Sequence, residues 1–599
     1  MAPVKALFGT FLPTFLGSLA LLASTASAGP IPNNPTVGTR AGVTTASIQS
    51  SSYIVQTALG PAKGTASGSG AARFTLPYAK PPVGGLRFAN PQPPASFNGT
   101  YDASATPPSC YGFNGARGGN SPSEDCLYLN VYAPASACST SNLGVLVWIH
   151  GGSFIGGSST NAGLDASVLA TKQNLVIVTL QYRLGLFGFF QNAALLDEQN
   201  GGGANSAKVA GNQAVRDVVA ALSFVKSNIA NLGGNPGAIT VAGQSSGAHL
   251  VRTLLTIPSA SSLFARAAIF SDPEDYGLAN ATQAAALTNY ALEGLGCAPA
   301  DLECARAQSA SDILGASLDA FSNLPASGAD PSLPAGEPFR PVLGSYIPRS
   351  LERGLAARTV SLSKPVIFST VKNEAGSQVG TLFEPTSAGD STLTLRANGY
   401  PLDLATAAGL AFNAGRGQKA VGAAAYAFNT SSSGADSLRS QLELISTDGL
   451  WRCATQTNAI NAQKTGAKVW LAQTNIGATY PSNANIDYCL KPGVVCHEDD
   501  IFLLFGTYPS SSSTTAIRAV SAEWQARLAS FVRSGSPNAA GYASWAPVSG
   551  AQGALNVLML GANAGTGASA VQQTQRKGVC GNAGLWGQSI QFDWQLYHA

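Results

Sequence analysis

The chain has only four histidines in 599 residues, and this scarcity narrows the search for a catalytic base. A serine nucleophile needs an imidazole to take its proton, so such chemistry here must use one of the four. His598 is the penultimate residue, where chain ends fray. His150 opens a glycine turn and His249 lies four residues past Ser245, so each belongs to another motif. His497 is therefore the predicted base.

The predicted nucleophile is Ser245, at the centre of the pentapeptide Gly243-Gln244-Ser245-Ser246-Gly247. Glycines two residues before and two after a serine permit the strained strand-to-helix turn that exposes its hydroxyl. This is the single Gly-x-Ser-x-Gly match in the chain, and it follows an apolar run at residues 239–242. Residues 248–251 can begin a helix, which would anchor the His249 side chain in a poor position to accept the serine proton.

Short, continuously apolar runs place this motif on a sheet that is covered on both faces, which is typical of parallel strands. These runs lie at residues 145–149, 175–180, 239–242, 267–270, 365–371 and 469–472. Apolar residues at helical spacing over residues 213–232 predict a crossover helix, which Gly233-Gly234 ends. The predicted fold class is α/β, with a mostly parallel central sheet, helices on both faces and large loop and helix insertions over the catalytic edge.

A glycine turn after the first of these strands, at residues 148–154, could hold an oxyanion. A tetrahedral intermediate needs backbone N–H groups aimed at its oxygen, and a Gly151-Gly152 turn lets two amides converge. The amides of Gly152 and Ser153 are the predicted donors, and the amide of Ser246 would be the third.

Ordered blocks along the chain resemble the type-B carboxylesterases, the family of carboxylesterases, cholinesterases and fungal lipases on the α/β-hydrolase fold. The resemblance runs from about residue 74 to residue 586, through blocks at 74–82, 86–88, 124–131, 182–185, 243–247 and 535–538. It implies an ester hydrolase in which Ser245 is the nucleophile and the amides of Gly152, Ser153 and Ser246 form the oxyanion hole. No metal or cofactor is expected.

The same resemblance places the carboxylate at Glu374 and the histidine at His497. Glu374 follows the run at 365–371 and matches the family's acid turn, except that Ala375 separates it from the usual glycine. Asp272 and Asp448 remain as reserve candidates. The order Ser245, Glu374, His497 is the order that this fold uses.

Two departures from the family bear on substrate. Gln244 stands where the family usually has glutamate, which removes a negative charge beside the serine. The loop between Cys110 and Cys126 is short and has no tryptophan, which argues against a choline site and a large lid. We expect an esterase for small or soluble acyl esters. The alternatives are a true lipase or sterol esterase, and a catalytically silent, cholinesterase-like adhesion protein, which the retained Ser, Glu and His disfavour.

The first 28 residues have the composition of a secretory signal peptide. Lys5 precedes an apolar stretch at residues 15–23, and Ala26-Ser27-Ala28 is a small-x-small cleavage site. The predicted organisation is a signal peptide at 1–28 and a single domain at 29–599, with no transmembrane segment. Charged residues make up 11% of the chain, against about 25% usually, and the formal net charge is +3. A nucleic-acid partner is therefore not expected.

Secretion gives meaning to the cysteines and to three glycosylation sequons, at Asn98, Asn280 and Asn429. Nine cysteines leave at least one without an intrachain partner. Proximity in sequence suggests three disulfides and leaves three cysteines unassigned. The suggested pairs are Cys110 with Cys126, Cys297 with Cys304, and Cys489 with Cys496, and the unassigned cysteines are Cys138, Cys453 and Cys580.

Overall fold

A computed structural model describes most of the chain from residue 53 onward. The described ranges are 53–113, 119–200, 209–327, 337–412, 414–427, 434–549, 555–573, 579–580 and 585–586. The predicted signal peptide at residues 1–28 lies outside them.

One large sheet organises the described residues, and its strands are connected mostly by helices. The strands are β1 Ile54–Thr57, β2 Gly60–Lys63, β3 Thr65–Ser67, β4 Ala71–Pro77, β5 Tyr101–Asp102, β6 Tyr128–Pro134, β7 Leu143–Ile149, β8 Val176–Leu180, β9 Gly234–Gln244, β10 Arg266–Phe270, β11 Val366–Val371, β12 Leu393–Thr394, β13 Pro401–Leu402, β14 Val469–Thr474, β15 Asn556–Leu560 and β16 Ala570–Gln573. The large sheet has the order β16-β15-β14-β11-β10-β9-β7-β8-β6-β4-β3.

The centre of this sheet is parallel and its two edges are antiparallel. All neighbouring pairs from β15 through β14, β11, β10, β9 and β7 to β8 run parallel, whereas β3, β4, β6 and β16 pair antiparallel with their neighbours. All six apolar runs lie in the parallel part. The predicted mostly parallel sheet is confirmed, and the antiparallel edges are an addition to it.

Helices cover both faces of the sheet. They are α1 Ser167–Gln173, α2 Gly185–Phe189, α3 Ala193–Asn200, α4 Gln213–Asn228, α5 Ser246–Leu254, α6 Ala281–Gly294, α7 Leu302–Ala307, α8 Ala310–Ser327, α9 Leu351–Ala356, α10 Gly376–Leu382, α11 Leu404–Ala411, α12 Ala414–Gly422, α13 Ser437–Thr447, α14 Cys453–Lys464, α15 Ile501–Phe505 and α16 Thr515–Ser534. The predicted crossover helix at 213–232 is α4, and a 3₁₀ turn at Ile229–Leu232 completes it.

Residues of β7 show how the sheet separates two apolar cores. Val145 and Val147 point into the cluster that also contains Val215 and Val218 of α4, whereas Trp148 joins the cluster on the opposite face. Both clusters consist of side chains that are less than a tenth exposed. Since alternate residues of a strand point to opposite faces, burial on both sides requires the continuous apolarity seen in the sequence.

Eight of the nine cysteines are joined in disulfides. The bonded pairs are Cys110–Cys126, Cys297–Cys304, Cys489–Cys496 and Cys453–Cys580. The last pair links residues 127 apart in the chain, so proximity in sequence could not suggest it. Cys138 is left as the free thiol.

Two of the three sequons lie among the described residues. Asn98 and Asn280 are both exposed. The Asn280 side chain also caps α6 by accepting a hydrogen bond from the Gln283 N–H, and Asn429 lies outside the described ranges. Within those ranges, every helix is too short or too polar to cross a membrane.

Candidate active site

Ser245 occupies the sharp turn between β9, which ends at Gln244, and α5, which begins at Ser246. Its backbone has φ 56° and ψ −128°, a strained conformation for a residue with a side chain. A Cβ atom at Gly243 would lie 2.4 Å from the Gly247 carbonyl oxygen, and one at Gly247 would lie 2.2 Å from the Ile149 carbonyl oxygen. Glycine is therefore required at both positions, which explains the Gly-x-Ser-x-Gly spacing.

A short hydrogen bond joins His497 to Glu374. The distance from the imidazole Nδ1 to the carboxylate Oε2 is 2.7 Å. The other oxygen of Glu374, Oε1, accepts a hydrogen bond from the Val371 N–H at 2.8 Å. Glu374 is fully buried and His497 is 8% exposed, so both oxygens of the carboxylate are held inside the protein. This arrangement fixes the imidazole tautomer with its proton on Nδ1.

The loops that carry these two side chains are tied together directly. The Asn373 N–H donates to the Val495 carbonyl at 2.9 Å, and the Asn373 side-chain oxygen accepts from the Val495 N–H at 3.1 Å. Asn373 immediately precedes Glu374, and Val495 lies two residues before His497. Because β11 and β14 are parallel neighbours, both loops emerge at the same edge of the sheet.

A buried glutamate holds the turn around Glu374 from the other side. Glu443 accepts hydrogen bonds from the Asn373 amide at 2.9 Å and from the Thr447 hydroxyl at 2.5 Å. The Thr447 hydroxyl in turn accepts the Ala375 N–H at 3.0 Å. Burial raises the pKa of Glu443 to about 7, against the opposing effect of these hydrogen bonds. The extra alanine of the acid turn thus has its amide satisfied by a side chain from α13.

The predicted oxyanion turn lies against Ser245. Since β7 and β9 are parallel neighbours, the turn that follows β7 emerges beside the serine. A Cβ atom at Gly151 would lie 2.9 Å from the Ser245 Cβ, so the backbone there approaches the serine closely. Gly152 has φ 126° and Ser153 φ 52°, and a Cβ at Gly152 would lie 2.3 Å from a carbonyl oxygen later in the turn. Ser246, the residue after the serine, begins α5.

Gln244 contacts the imidazole at the ring nitrogen that Glu374 leaves free. The distance from the Gln244 Nε2 to the His497 Nε2 is 3.1 Å. The Gln244 side chain is fully buried, and its Oε1 would lie 2.7 Å from a Cβ at Gly151. The sequence predicted a change of charge at this position, but it did not predict the contact.

Trp451 is a second neighbour of His497 that sequence reasoning missed. Its ring centroid is 5.8 Å from that of the imidazole, and it lies in a single π-helical segment, Asp448–Arg452, between α13 and α14. Such segments are frequent at functional sites. The buried Trp451 indole N–H has no hydrogen-bond partner among the described residues. No local sequence signal identifies this contact, because the two residues are far apart in the chain.

The other histidines have partners elsewhere. The Nδ1 of His249 is 3.0 Å from the Glu337 Oε2, and the imidazole of His150 is stacked on Tyr182 with 4.5 Å between centroids. His598 lies outside the described ranges.

Both reserve carboxylates form ion pairs with arginines. The Arg252 Nε lies 2.7 Å from Asp272, and Arg452 pairs with Asp448. The Tyr426 hydroxyl also donates to Asp448 at 2.7 Å. Of the three predicted carboxylates, Glu374 is the one in contact with His497.

Three carboxylates act on the proton affinity of His497. Burial lowers the pKa of the imidazole, but the hydrogen bond to Glu374 and the negative charges of Glu374, Glu498 and Asp500 outweigh burial. The pKa of His497 therefore lies above its usual 6.5. At His249 burial lowers the pKa and the charges of Arg252 and Arg340 lower it further, so that pKa lies well below 6.5.

Comparison with known proteins identifies the family. The model of the carboxylesterase family matches residues 51–580. The chain is 30% identical over 520 residues to carboxylesterase 1D of Rattus norvegicus, covering 80% of this chain and 84% of the rat protein. It is 36% identical over 295 residues to the fumonisin B1 esterase of Sphingopyxis macrogoltabida, covering 49% of this chain and 51% of the bacterial protein.

A solved structure of a PNB esterase is similar to the described fold. It superposes with a TM-score of 0.67 at 26% identity, covering 87% of this chain and 97% of the esterase. The α/β-hydrolase fold that the sequence blocks predicted is therefore confirmed.

We expect His497 to titrate above pH 6.5 and Glu374→Gln to lower its midpoint by roughly one to three pH units, because the variant keeps a hydrogen-bond acceptor but loses the negative charge. NMR of protein labelled at the histidine ring carbons measures this directly, since the chain contains only four histidines. Glu198→Gln, at an exposed ion pair with Arg306, is the matched control and should leave the midpoint unchanged. A wild-type midpoint below 6.5 contradicts the prediction.

Proposed function

This chain belongs to the carboxylesterase family and is a carboxylic ester hydrolase, and we propose that it acts through Ser245, His497 and Glu374 by way of an acyl-enzyme. The observation that supports these assignments best is the 2.7 Å hydrogen bond between His497 and Glu374. It leaves Nε2 as the basic nitrogen, as a general base for a serine hydroxyl requires.

In this mechanism Ser245 Oγ attacks the ester carbonyl carbon while its proton passes to Nε2 of His497. The imidazolium then gives that proton to the leaving alcohol, and the C–O bond of the ester breaks to leave an acyl-serine. Water repeats the sequence, losing a proton to His497 as it attacks the acyl carbon. Glu374 remains ionised and stabilises the imidazolium throughout.

The amides of Gly152, Ser153 and Ser246 are proposed to hold the oxyanion. Support comes from the two turns that converge on Ser245, one after β7 and one at the start of α5. A Cβ built at Gly151 would lie 2.9 Å from the Ser245 Cβ, and this close approach of the turn to the serine supports the assignment. Each such donor contributes about 3 kcal/mol to transition-state stabilisation.

We expect Ser245→Ala to lower kcat roughly 10⁴-fold or more, because the variant lacks the hydroxyl that attacks the ester carbonyl. An organophosphonate should label wild-type Ser245 stoichiometrically, as mapped by mass spectrometry of the modified peptide. Ser223→Ala, on the exposed face of α4, is the matched control and should retain activity and labelling. Folded wild-type protein that neither reacts nor hydrolyses esters would instead support the alternative of a binding protein on this fold.

We propose an esterase for small or soluble carboxyl esters rather than a lidded lipase. The disulfide joins Cys110 to Cys126, which are only 16 positions apart in the chain, so the loop that it closes is short. Residues 114–118 of this loop lie outside the described ranges. The relatives reported above are named carboxylesterase 1D and fumonisin B1 esterase, and both names describe an esterase rather than a lipase. Gln244 offers no negative charge to a cationic alcohol such as choline.

The rate of hydrolysis of a short-chain triglyceride should rise smoothly as its concentration passes the solubility limit, because the sequence between Cys110 and Cys126 is too short to form a large lid that opens at an interface. Initial rates on tributyrin below and above saturation measure this, with a soluble p-nitrophenyl ester as the reference substrate. A sharp increase at the solubility limit would indicate interfacial activation and a true lipase.

We further propose that the protein is secreted and glycosylated. The composition of residues 1–28 supports a cleaved signal, and four disulfides fit an oxidising compartment. The exposed positions of Asn98 and Asn280 are compatible with glycans.

Protein recovered from the medium of a secreting eukaryotic host should begin at Gly29, because cleavage follows Ala28. Amino-terminal sequencing measures this, and glycosidase treatment before intact-mass analysis reports the sugars. A chain that begins at Met1, or that stays inside the cell, contradicts the proposal.

A further inference from the structure

Gln244 lies between the two parts of the proposed mechanism. It is the last residue of β9, directly before the serine, and its side chain is fully buried. On one side its Oε1 and carbonyl oxygen each lie 2.7 Å from the position of a Cβ at Gly151. On the other side its Nε2 lies 3.1 Å from the His497 Nε2. Any side chain at residue 151 would displace this amide.

The hydrogen-bonding capacity of the two groups determines how they pair. Glu374 holds the proton of neutral His497 on Nδ1, so Nε2 carries a lone pair and accepts from the Gln244 NH₂. After His497 has taken the serine proton, Nε2 carries a hydrogen and would face the same NH₂ as a second donor. The Gln244 Oε1 has no hydrogen-bond partner among the described residues, and a half-turn of the amide brings this acceptor to Nε2.

We propose that Gln244 is a positioning residue for His497. In the resting site its amide donates to Nε2 of the neutral ring, it gives up that lone pair when the serine proton is transferred, and, turned over, it accepts from Nε2–H of the protonated ring. A primary amide can do both at nearly constant volume. An ionised carboxylate can only accept, so glutamate at this position would favour the imidazolium. The proposal rests on the assignment of His497 as the base.

The pH at which His497 becomes protonated depends on all the charges around the imidazole. Glu374 on the acid turn, and Glu498 and Asp500 on the histidine's own loop, already favour the protonated ring. Gln244 and Trp451 are the uncharged neighbours. Gln244 adds no charge to this set and its amide can pair with either form of the ring, whereas glutamate at this position would add a fourth carboxylate that favours the imidazolium.

The experiment compares wild type, Gln244→Glu and Gln244→Met by NMR titration of ring-labelled His497. Gln244→Glu should raise the midpoint by roughly one to three pH units, since a carboxylate would then lie beside each ring nitrogen. Gln244→Met has a similar volume and no hydrogen-bonding group, and its midpoint should stay closer to that of the wild type than the midpoint of Gln244→Glu does. Its kcat should fall about tenfold with KM nearly unchanged, because the ring loses its second anchor.

Running the titrations in the Ser245→Ala background separates this inference from the proposed function. In that background the titration midpoint of His497 is measured without any catalysis, so the result tests the role of Gln244 even if Ser245 is not the nucleophile. In the Ser245-containing proteins, the acid limb of kcat/KM should move with the NMR midpoint. Equal midpoints in wild type and both variants would overturn the role of Gln244. Near-ultraviolet circular dichroism checks that each variant is folded. If Gln244→Glu does not fold, the fall in kcat expected for Gln244→Met tests the role of Gln244.

Discussion

The buried hydrogen bond between His497 and Glu374 is the interaction on which the rest of the site depends. The two residues are 123 apart in the chain, so the fold must hold their loops close enough for Nδ1 of His497 to lie 2.7 Å from Oε2 of Glu374. The parallel pairing of β11 with β14 does most of this, because it delivers both loops to one edge of the sheet. The backbone and side-chain bonds between Asn373 and Val495 then fix their separation. A shift of one strand would separate the pair.

The same edge collects the other parts of the site. β7, β9, β11 and β14 all run in one direction, and they are followed by the glycine turn, Ser245, Glu374 and the His497 loop respectively. This is why the sequence predicted so much of the arrangement: each candidate followed a continuously apolar run. The edge strands were harder to predict. β4 and β6 pair antiparallel with their neighbours, and β16 pairs antiparallel with β15 at the edge of the described sheet, so their residues lack the uniform signal of strands surrounded by parallel neighbours.

The contacts that set the chemistry of the imidazole could not be predicted in this way. Gln244 and Trp451 meet His497 across long stretches of chain, through a strand end and a π-helical segment. No residue pattern encodes such lateral contacts, because they depend on how the His497 loop packs against the end of β9 and against the segment between α13 and α14. Residue types at the right strand ends therefore predicted which candidate groups the fold collects at this edge, whereas the neighbours of His497 emerge only from tertiary packing.

Glu443 shows how this tuning extends one layer further. The Ala375 N–H donates to the Thr447 hydroxyl, so that hydroxyl must donate its own hydrogen to Glu443. Asn373 donates to the second oxygen, and the carboxyl group therefore faces a donor on each side. That pattern suits the ionised form, although burial favours the neutral form and raises the pKa to about 7. If Glu443 were protonated, its own O–H would face one of these two donors, and one of the two hydrogen bonds would be lost. The turn that carries Glu374 would then be held less firmly. Acidification thus acts on the site twice, by protonating the imidazole and by weakening the support of its carboxylate partner.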